Sequence, residues 1–180
     1  MSTQYRTLDD NQIKFIDAQH LFFVGTAVES GRVNLFTKGW NSLQVLGPNK
    51  LLWLNLTGSR NETAAHLQRV NHMTIMFFSY DKQPLILRLY GTAKTIHPRD
   101  PQWQHMIGLF PETNGARQIY EMDIKMVQTS CGFAVPLMDF ISERDTLKNW
   151  ATKQGPTGIE AYWGKNNQTS LDGFETGIIQ

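Results

Sequence analysis

The stretch LLWLNLTGSRNETAAHL, residues 51–67, decides how the chain is read. Its first half is an apolar run suited to a buried strand, and its last part is rich in helix formers. Between them TGSRN gathers hydroxyls, a glycine, a guanidinium and an amide at one strand-to-helix corner. Two readings of that corner hold together. Ser59 and Glu62 have the S-x-x-E spacing of a capping box, with Thr57 and Gly58 making the turn, and such a cap is worth about 1 kcal/mol. A helix start also presents unpaired N–H groups and a partial positive charge, to which Ser59 and Thr63 add hydroxyl donors and Arg60 a fork suited to phosphate.

Upstream, LFFVGTAV and RVNLF flank Glu29, Ser30 and Gly31, which predicts a hairpin. SLQVL and LLWLNL flank GPNK, which predicts a second. The segment RVNLFTKGWNS carries Arg32, Asn34, Thr37, Lys38, Asn41 and Ser42, and as a neighbour of LLWLNL it brings a second cation, Lys38, to the corner. Downstream, a short helix with Ala64, Leu67 and Val70 on one face is expected to end at a left-handed Asn71. MTIMFFS and LILRLYGTAKTIH follow as strands, with Gly91 marking a bend or bulge. A helix over residues 102–109 precedes the strand IYEMDIKMV, whose Tyr120, Met122, Ile124 and Met126 alternate onto one face.

The ends read as helical. Residues 9–19 have a loose helical spacing. In the tail, about residues 137–180, a helix starting near Ser142 or Asp145 stops at Gly155 and Pro156, and a second covers residues 157–165. At least six strands joined mainly by hairpins predict a mainly β fold, an antiparallel barrel with flanking helices in one domain, residues 1–180.

Composition bounds the function. The 180 residues, 41% hydrophobic, suffice for one core, and a formal charge of +1 creates no global field for nucleic acid, so any anion site is local. With one cysteine, no signal-peptide pattern at the start and no apolar run near the roughly 20 residues of a membrane helix, the expected location is cytoplasmic. His20, His66, His72, His97 and His105 show no metal-binding spacing, so no metal is expected. Cys131 reads as a small buried hydrophobe, and His66 as a helix-face partner of Glu62. Arg88 and Tyr90 suit either a ligand across an interface or an exposed barrel face. Trp53, Phe77, Phe78 and Trp103 read as core, and Trp40 as a loop residue.

Through FFVGTA, GRVNLFTKGWNS, LLWLNLTGSRNETAAHL, MTIMFF and LRLYGTAK the chain resembles the pyridoxamine 5′-phosphate oxidase-like family of FMN-binding split-barrel proteins. QTSCGFAVP and SLDG extend the resemblance to a bacterial subgroup. It implies a six-stranded Greek-key split barrel and a homodimer with two FMN sites at the interface. It also implies a phosphate held by Lys38, from a Lys-Gly pattern, and by Ser59 and Arg60, from a Ser-Arg-Lys pattern in which this chain has Asn61 in place of the lysine. Thr63 or backbone amides would offset the missing cation, while Asn34, Leu35 and Thr57 lie along the flavin ring and Ser42 belongs to the same set. The oxidase itself ends in an Arg-Leu-x-Pro segment that recognises its B6 substrate; this chain ends SLDGFETGIIQ, and no B6 substrate is assigned. The implied activity is an FMN-dependent oxidoreductase of unknown substrate. A flavin- or haem-carrying module without turnover and a deazaflavin-dependent reductase are the alternatives.

Overall fold

The computed structural model describes residues 2–179. In chain order the elements are β1 (Ser2–Tyr5), α1 (Asp10–Asp17), β2 (Phe22–Thr26), β3 (Asn34–Lys38), β4 (Leu43–Gly47), β5 (Lys50–Leu56), α2 (Glu62–Leu67), β6 (His72–Phe78), β7 (Leu85–Ile96), α3 (Trp103–Ile107), β8 (Ala116–Cys131) and α4 (Thr146–Asn166). The strands form one antiparallel sheet in the order β3-β2-β6-β7-β8-β5-β4, with β1 added to β8. Among the described residues no ladder joins β3 to β4, so the barrel stays split.

The continuous apolar run of β5 has a physical reason. Leu51 and Trp53 face the main core with Tyr120 and Met122, while Leu52 and Leu54 face a second cluster with Ile96, Trp103, Phe110 and Ile119. A strand covered on both faces needs no polar alternation. Each such side chain contributes about 1.5–3 kcal/mol on burial, so β5 and its neighbour β8 anchor the sheet. On β7, Leu87 and Leu89 are fully buried.

At Gly91 the β7–β8 register shifts between Tyr90 and Gly91. A Cβ there would lie 2.1 Å from the Asp123 carbonyl oxygen, so only glycine permits this approach. The same bulge corrects the reading of β8. Tyr90 pairs with Met126 and Gly91 with Ile124, leaving Lys125 as the extra residue. The buried phase therefore passes from Ile124 to Val127, and Met126 is only partly buried.

Among the described residues the sheet has eight strands, against seven segments read from the sequence and six in the barrel implied by the resemblance. Part of the difference is β1, whose polar STQY is exposed and held by pairing along β8, Ser2 opposite Ser130. The hairpin of β2 and β3 exists with Thr26 opposite Asn34, so its loop is longer than the three residues expected. β3 pairs with β2 and not with β5. Asn71 is not in the left-handed region; α2 ends at Leu67, and its C-cap Gln68 has helical angles. The tail break does fall at Gly155, whose φ of 65° separates two helices within α4 before Pro156. Helix α1 is capped by Asp9, with Gln12 completing a capping box. No helix among the described residues is long and apolar enough to cross a membrane.

Candidate functional site

The corner after β5 and the end of β3 meet at one small cavity. Lys38, Ser59, Arg60, Asn61 and Thr63 line it, joined by Asn55 and by Arg117 from the start of β8. Lys38 reaches the cavity from β3, which shares no ladder with β5. Its Nζ lies 4.8 Å from the Phe36 ring centre and 5.1 Å from that of Trp53, a cation held over two aromatic faces. Burial, and secondarily the Arg117 charge, lowers the Lys38 pKa to about 8.

Arg117 is the residue that sequence reasoning missed. It is 2% exposed, and burial lowers its pKa to about 10. Its Nη1 donates to the Arg60 carbonyl at 3.0 Å and to Asn167 Oδ1 at 2.6 Å, while its buried Nε has no partner among the described residues. Among the described residues neither Lys38 nor Arg117 has a carboxylate within salt-bridge distance. Buried cations ordinarily come paired. The signal lay in TNGARQIY, where a cation enters a strand earlier than IYEMDIKMV suggested.

The capping box is not formed. The N-cap of α2 is Asn61, without a side-chain cap bond, and the Glu62 carboxylate instead accepts from the Leu171 N–H at 2.9 and 3.1 Å. The tail has taken the carboxylate that the local spacing assigned to Ser59. Asn61 is buried, and its side-chain N and O both lack partners among the described residues. His66, expected beside Glu62, is fully buried and has its Nδ1 3.1 Å from Thr26 Oγ1.

Other expected residues sit differently. The Asn34 amide is buried and donates to Thr26 Oγ1 at 2.9 Å and to Thr63 Oγ1 at 3.1 Å, placing it behind the cavity. Leu35 is 65% exposed on β3, at the unpaired end of the sheet. The Thr57 hydroxyl donates to the Gly115 carbonyl and accepts from Trp163 Nε1, each at 2.9 Å, so it ties the corner to α4. Ser42 lies apart, donating to the Gly39 carbonyl at 2.6 Å and lining a different cavity beside His20 and Gly39. Trp40 is partly buried in the turn after β3, where it and Asn41 both take positive φ, 64° and 50°.

The remaining expectations separate cleanly. Cys131 is exposed at the end of β8, not buried. Arg88 donates to Ser130 Oγ at 3.0 Å and Tyr90 to Gln128 Oε1 at 3.1 Å, so both are engaged with β8. Trp53, Phe77 and Trp103 are core residues; Phe78 is half-buried.

The cavity volume, about 40 Å³, accommodates roughly three waters at about 10–15 Å³ each, or one compact oxyanion. Buried positive charge, unpartnered donors at Arg117 Nε and Asn61 Nδ2, and this size together fit a phosphate group.

The sequence model of the pyridoxamine 5′-phosphate oxidase family matches residues 8–131, more than half of the chain. The chain belongs to the pyridoxamine 5′-phosphate oxidase family. It is similar to the Aspergillus flavus pyridoxamine 5′-phosphate oxidase family protein ustO, at 38% identity over 147 residues, which cover 79% of this chain and 59% of that relative. The chain thus spans little more than half the length of that curated relative. Solved structures of the family's fold are similar as well. A Lactobacillus delbrueckii protein named for pyridoxamine 5′-phosphate oxidase aligns with a TM-score of 0.56 at 20% identity, over 68% of this chain and 94% of that one. HupZ of Group A Streptococcus aligns with a TM-score of 0.51 at 15% identity, over 66% and 92%. These two likenesses show the split-barrel fold shared across the family.

Proposed function

We propose that the chain binds FMN through its phosphate at the cavity between β3, the 57–61 corner and β8, and acts as a flavin-dependent oxidoreductase. One observation carries this reading: a buried cation, Arg117, and a partly buried one, Lys38, share a phosphate-sized cavity, with no carboxylate within salt-bridge distance of either among the described residues. An anion there would relieve both the desolvation and the mutual repulsion that lower the Lys38 pKa. Arg117 then makes up for the cation absent at Asn61, while Ser59, Arg60 and Thr63 add donors around the rim.

Bound FMN supplies the hydride or electron transfer, which the protein's own side chains cannot perform. The chain's part is to hold the phosphate end and to orient the ring. Asn34 and Leu35 support that second role because β3 ends the sheet, leaving backbone N–H and C=O groups free to meet a planar partner. Thr57 acts through the corner's backbone rather than at the ring, since its hydroxyl already serves Gly115 and Trp163.

A homodimer is part of the proposal. Phe133, Leu137, Met138, Phe140 and Ile141 are all more than half exposed along one segment after β8, a run that a second subunit would cover. The whole chain, residues 1–180, is taken as the folding unit, working in the cytoplasm.

Absorption spectra of the protein as purified and on titration with FMN test the reading. Saturable binding of FMN, much tighter than riboflavin, is expected; equal affinity for the two would remove the phosphate site. Reduction of the bound flavin by NAD(P)H followed by reoxidation with an acceptor panel separates an enzyme from a carrier. A Soret band would instead favour haem.

A further inference from the structure

Asn167 is fully buried where α4 ends, well beyond the last residue matched by the family. Its side chain makes two contacts with opposite ends of the corner. Oδ1 accepts from Arg117 Nη1 at 2.6 Å, and Nδ2 donates to the Gly58 carbonyl at 3.0 Å. Arg117 Nη1 in turn donates to the Arg60 carbonyl. One amide from the tail therefore fixes both the buried guanidinium and the loop that carries Ser59 and Arg60.

Asn167 is itself held firmly. Its N–H donates to the Trp163 carbonyl at 2.9 Å, and its carbonyl accepts from the buried Thr176 hydroxyl at 2.6 Å. The following residues close over the corner: the Leu171 N–H donates to Glu62, and the Asp172 carboxylate accepts from the Arg32 N–H at 2.7 Å. The chemistry of the contact matters as much as its place. A carboxylate at this position would pair with Arg117 and cancel its charge. A neutral amide orients the guanidinium while leaving that charge available to an anion.

We infer that Asn167 is a positioning residue for the cofactor phosphate: it presets Arg117 and the 58–60 loop without neutralising the cation. This rests on the FMN reading above, and it makes the C-terminal tail part of the site. Preorganisation of a long side chain lowers the entropy lost when the ligand binds.

The test compares FMN with riboflavin, which lacks the phosphate, on full-length wild type, Asn167→Ala, Asn167→Asp and Arg117→Met, with melting of the cofactor-free proteins alongside. FMN affinity is expected to fall about 10-fold or more in Asn167→Ala and further in Asn167→Asp, with riboflavin affinity held within about twofold. Asn167→Asp has nearly the native shape, so it decides the matter if the alanine variant does not fold. Unchanged FMN affinity in the folded variants, or equal losses for FMN and riboflavin, overturns the inference. If Arg117→Met loses FMN while Asn167→Asp retains it, only the role of Asn167 fails. A wild type that does not prefer FMN to riboflavin overturns this inference and the phosphate site together.

Discussion

Two groups of cations contact or extend strand β8, and they are treated in opposite ways. Further along β8, the Glu121 carboxylate is held between Lys50 and Lys94, the latter at 2.9 Å, with Asp123 also 3.3 Å from Lys50. Burial works against the charged Glu121, but hydrogen bonds from the two lysines more than offset it and hold the carboxyl below its usual range. Hydrogen bonding to Glu121 raises the Lys50 pKa in return. Four residues earlier, Arg117 shares its cavity with Lys38; the Glu62 at its edge is turned to the Leu171 N–H, no carboxylate among the described residues is within salt-bridge distance of either cation, and Lys38 is lowered rather than raised. The first group is complete within the chain. The second has the electrostatics of a site whose anion comes from outside.

The largest expected effect comes from removing the deeper cation. Arg117→Met should lower FMN affinity roughly 100-fold, as charge-assisted hydrogen bonds contribute about 1.5–3 kcal/mol each. It should also cost about 2–4 kcal/mol of stability, because the Arg60 carbonyl and Asn167 Oδ1 lose their donor in a buried place. Calorimetric titration and chemical denaturation measure the two losses. Retained FMN affinity in a folded variant would put Arg117 on the structural side of the comparison, with Lys50.

Lys38→Met should act differently, lowering FMN affinity about 10- to 100-fold while leaving the cofactor-free protein as stable as before or more so. The pH dependence gives a sharper test. Lys38 titrates near pH 8 in the folded protein and near 10.5 when unfolded, so between those values the unfolded chain binds more protons. The Lys38 contribution to cofactor-free stability is therefore unfavourable below pH 8 and is relieved as pH rises from 8 towards 10.5. Phosphate binding needs the ammonium, so FMN affinity should fall above about pH 8, by up to about tenfold per pH unit. Both slopes should vanish in Lys38→Met when it is measured beside wild type. A wild-type affinity that stays flat to pH 10 would show that Lys38 is not opposite the phosphate.

The paired cluster supplies the control. Glu121→Gln should cost about 1 kcal/mol of stability, more at low salt than at high, with FMN affinity unchanged. A matched loss of FMN affinity would mean that the two groups are electrically coupled along β8 and that the contrast between them is false.

What the sequence made legible follows the range of the forces involved. Period and turn chemistry are local, so seven of the strands, Gly91 and the helix break at Gly155 could be read directly. Lys38, Ser59, Arg60 and Thr63 were placed at one corner by residue chemistry, the family resemblance added Asn61, and the structure gathers those five at one cavity. β1 was illegible because its polar residues bury nothing and it exists through pairing with β8. TNGARQIY showed a cation entering β8, but the partners of Arg117 and the role of Asn167 were illegible because they depend on contacts 50 or more residues away along the chain. The shift from Met126 to Val127 shows the same limit, since alternation cannot reveal which residue a bulge will skip.

The smallest expected effect tests where local and distant forces competed. Local spacing makes Ser59 the cap of α2, and its loss should then cost about 1 kcal/mol. In the structure Asn61 occupies the N-cap and Glu62 has turned to Leu171, so no reciprocal box exists to be lost. Ser59 is exposed at the cavity rim. Ser59→Ala should therefore change stability by less than about 0.5 kcal/mol, and weaken FMN binding about 2- to 10-fold through one lost hydroxyl donor. A full cap-sized loss of stability with FMN affinity intact would restore the capping box and detach Ser59 from the phosphate. The expected opposite would mean that the C-terminal tail, by drawing Glu62 away, converted a helix start into one wall of the cofactor site.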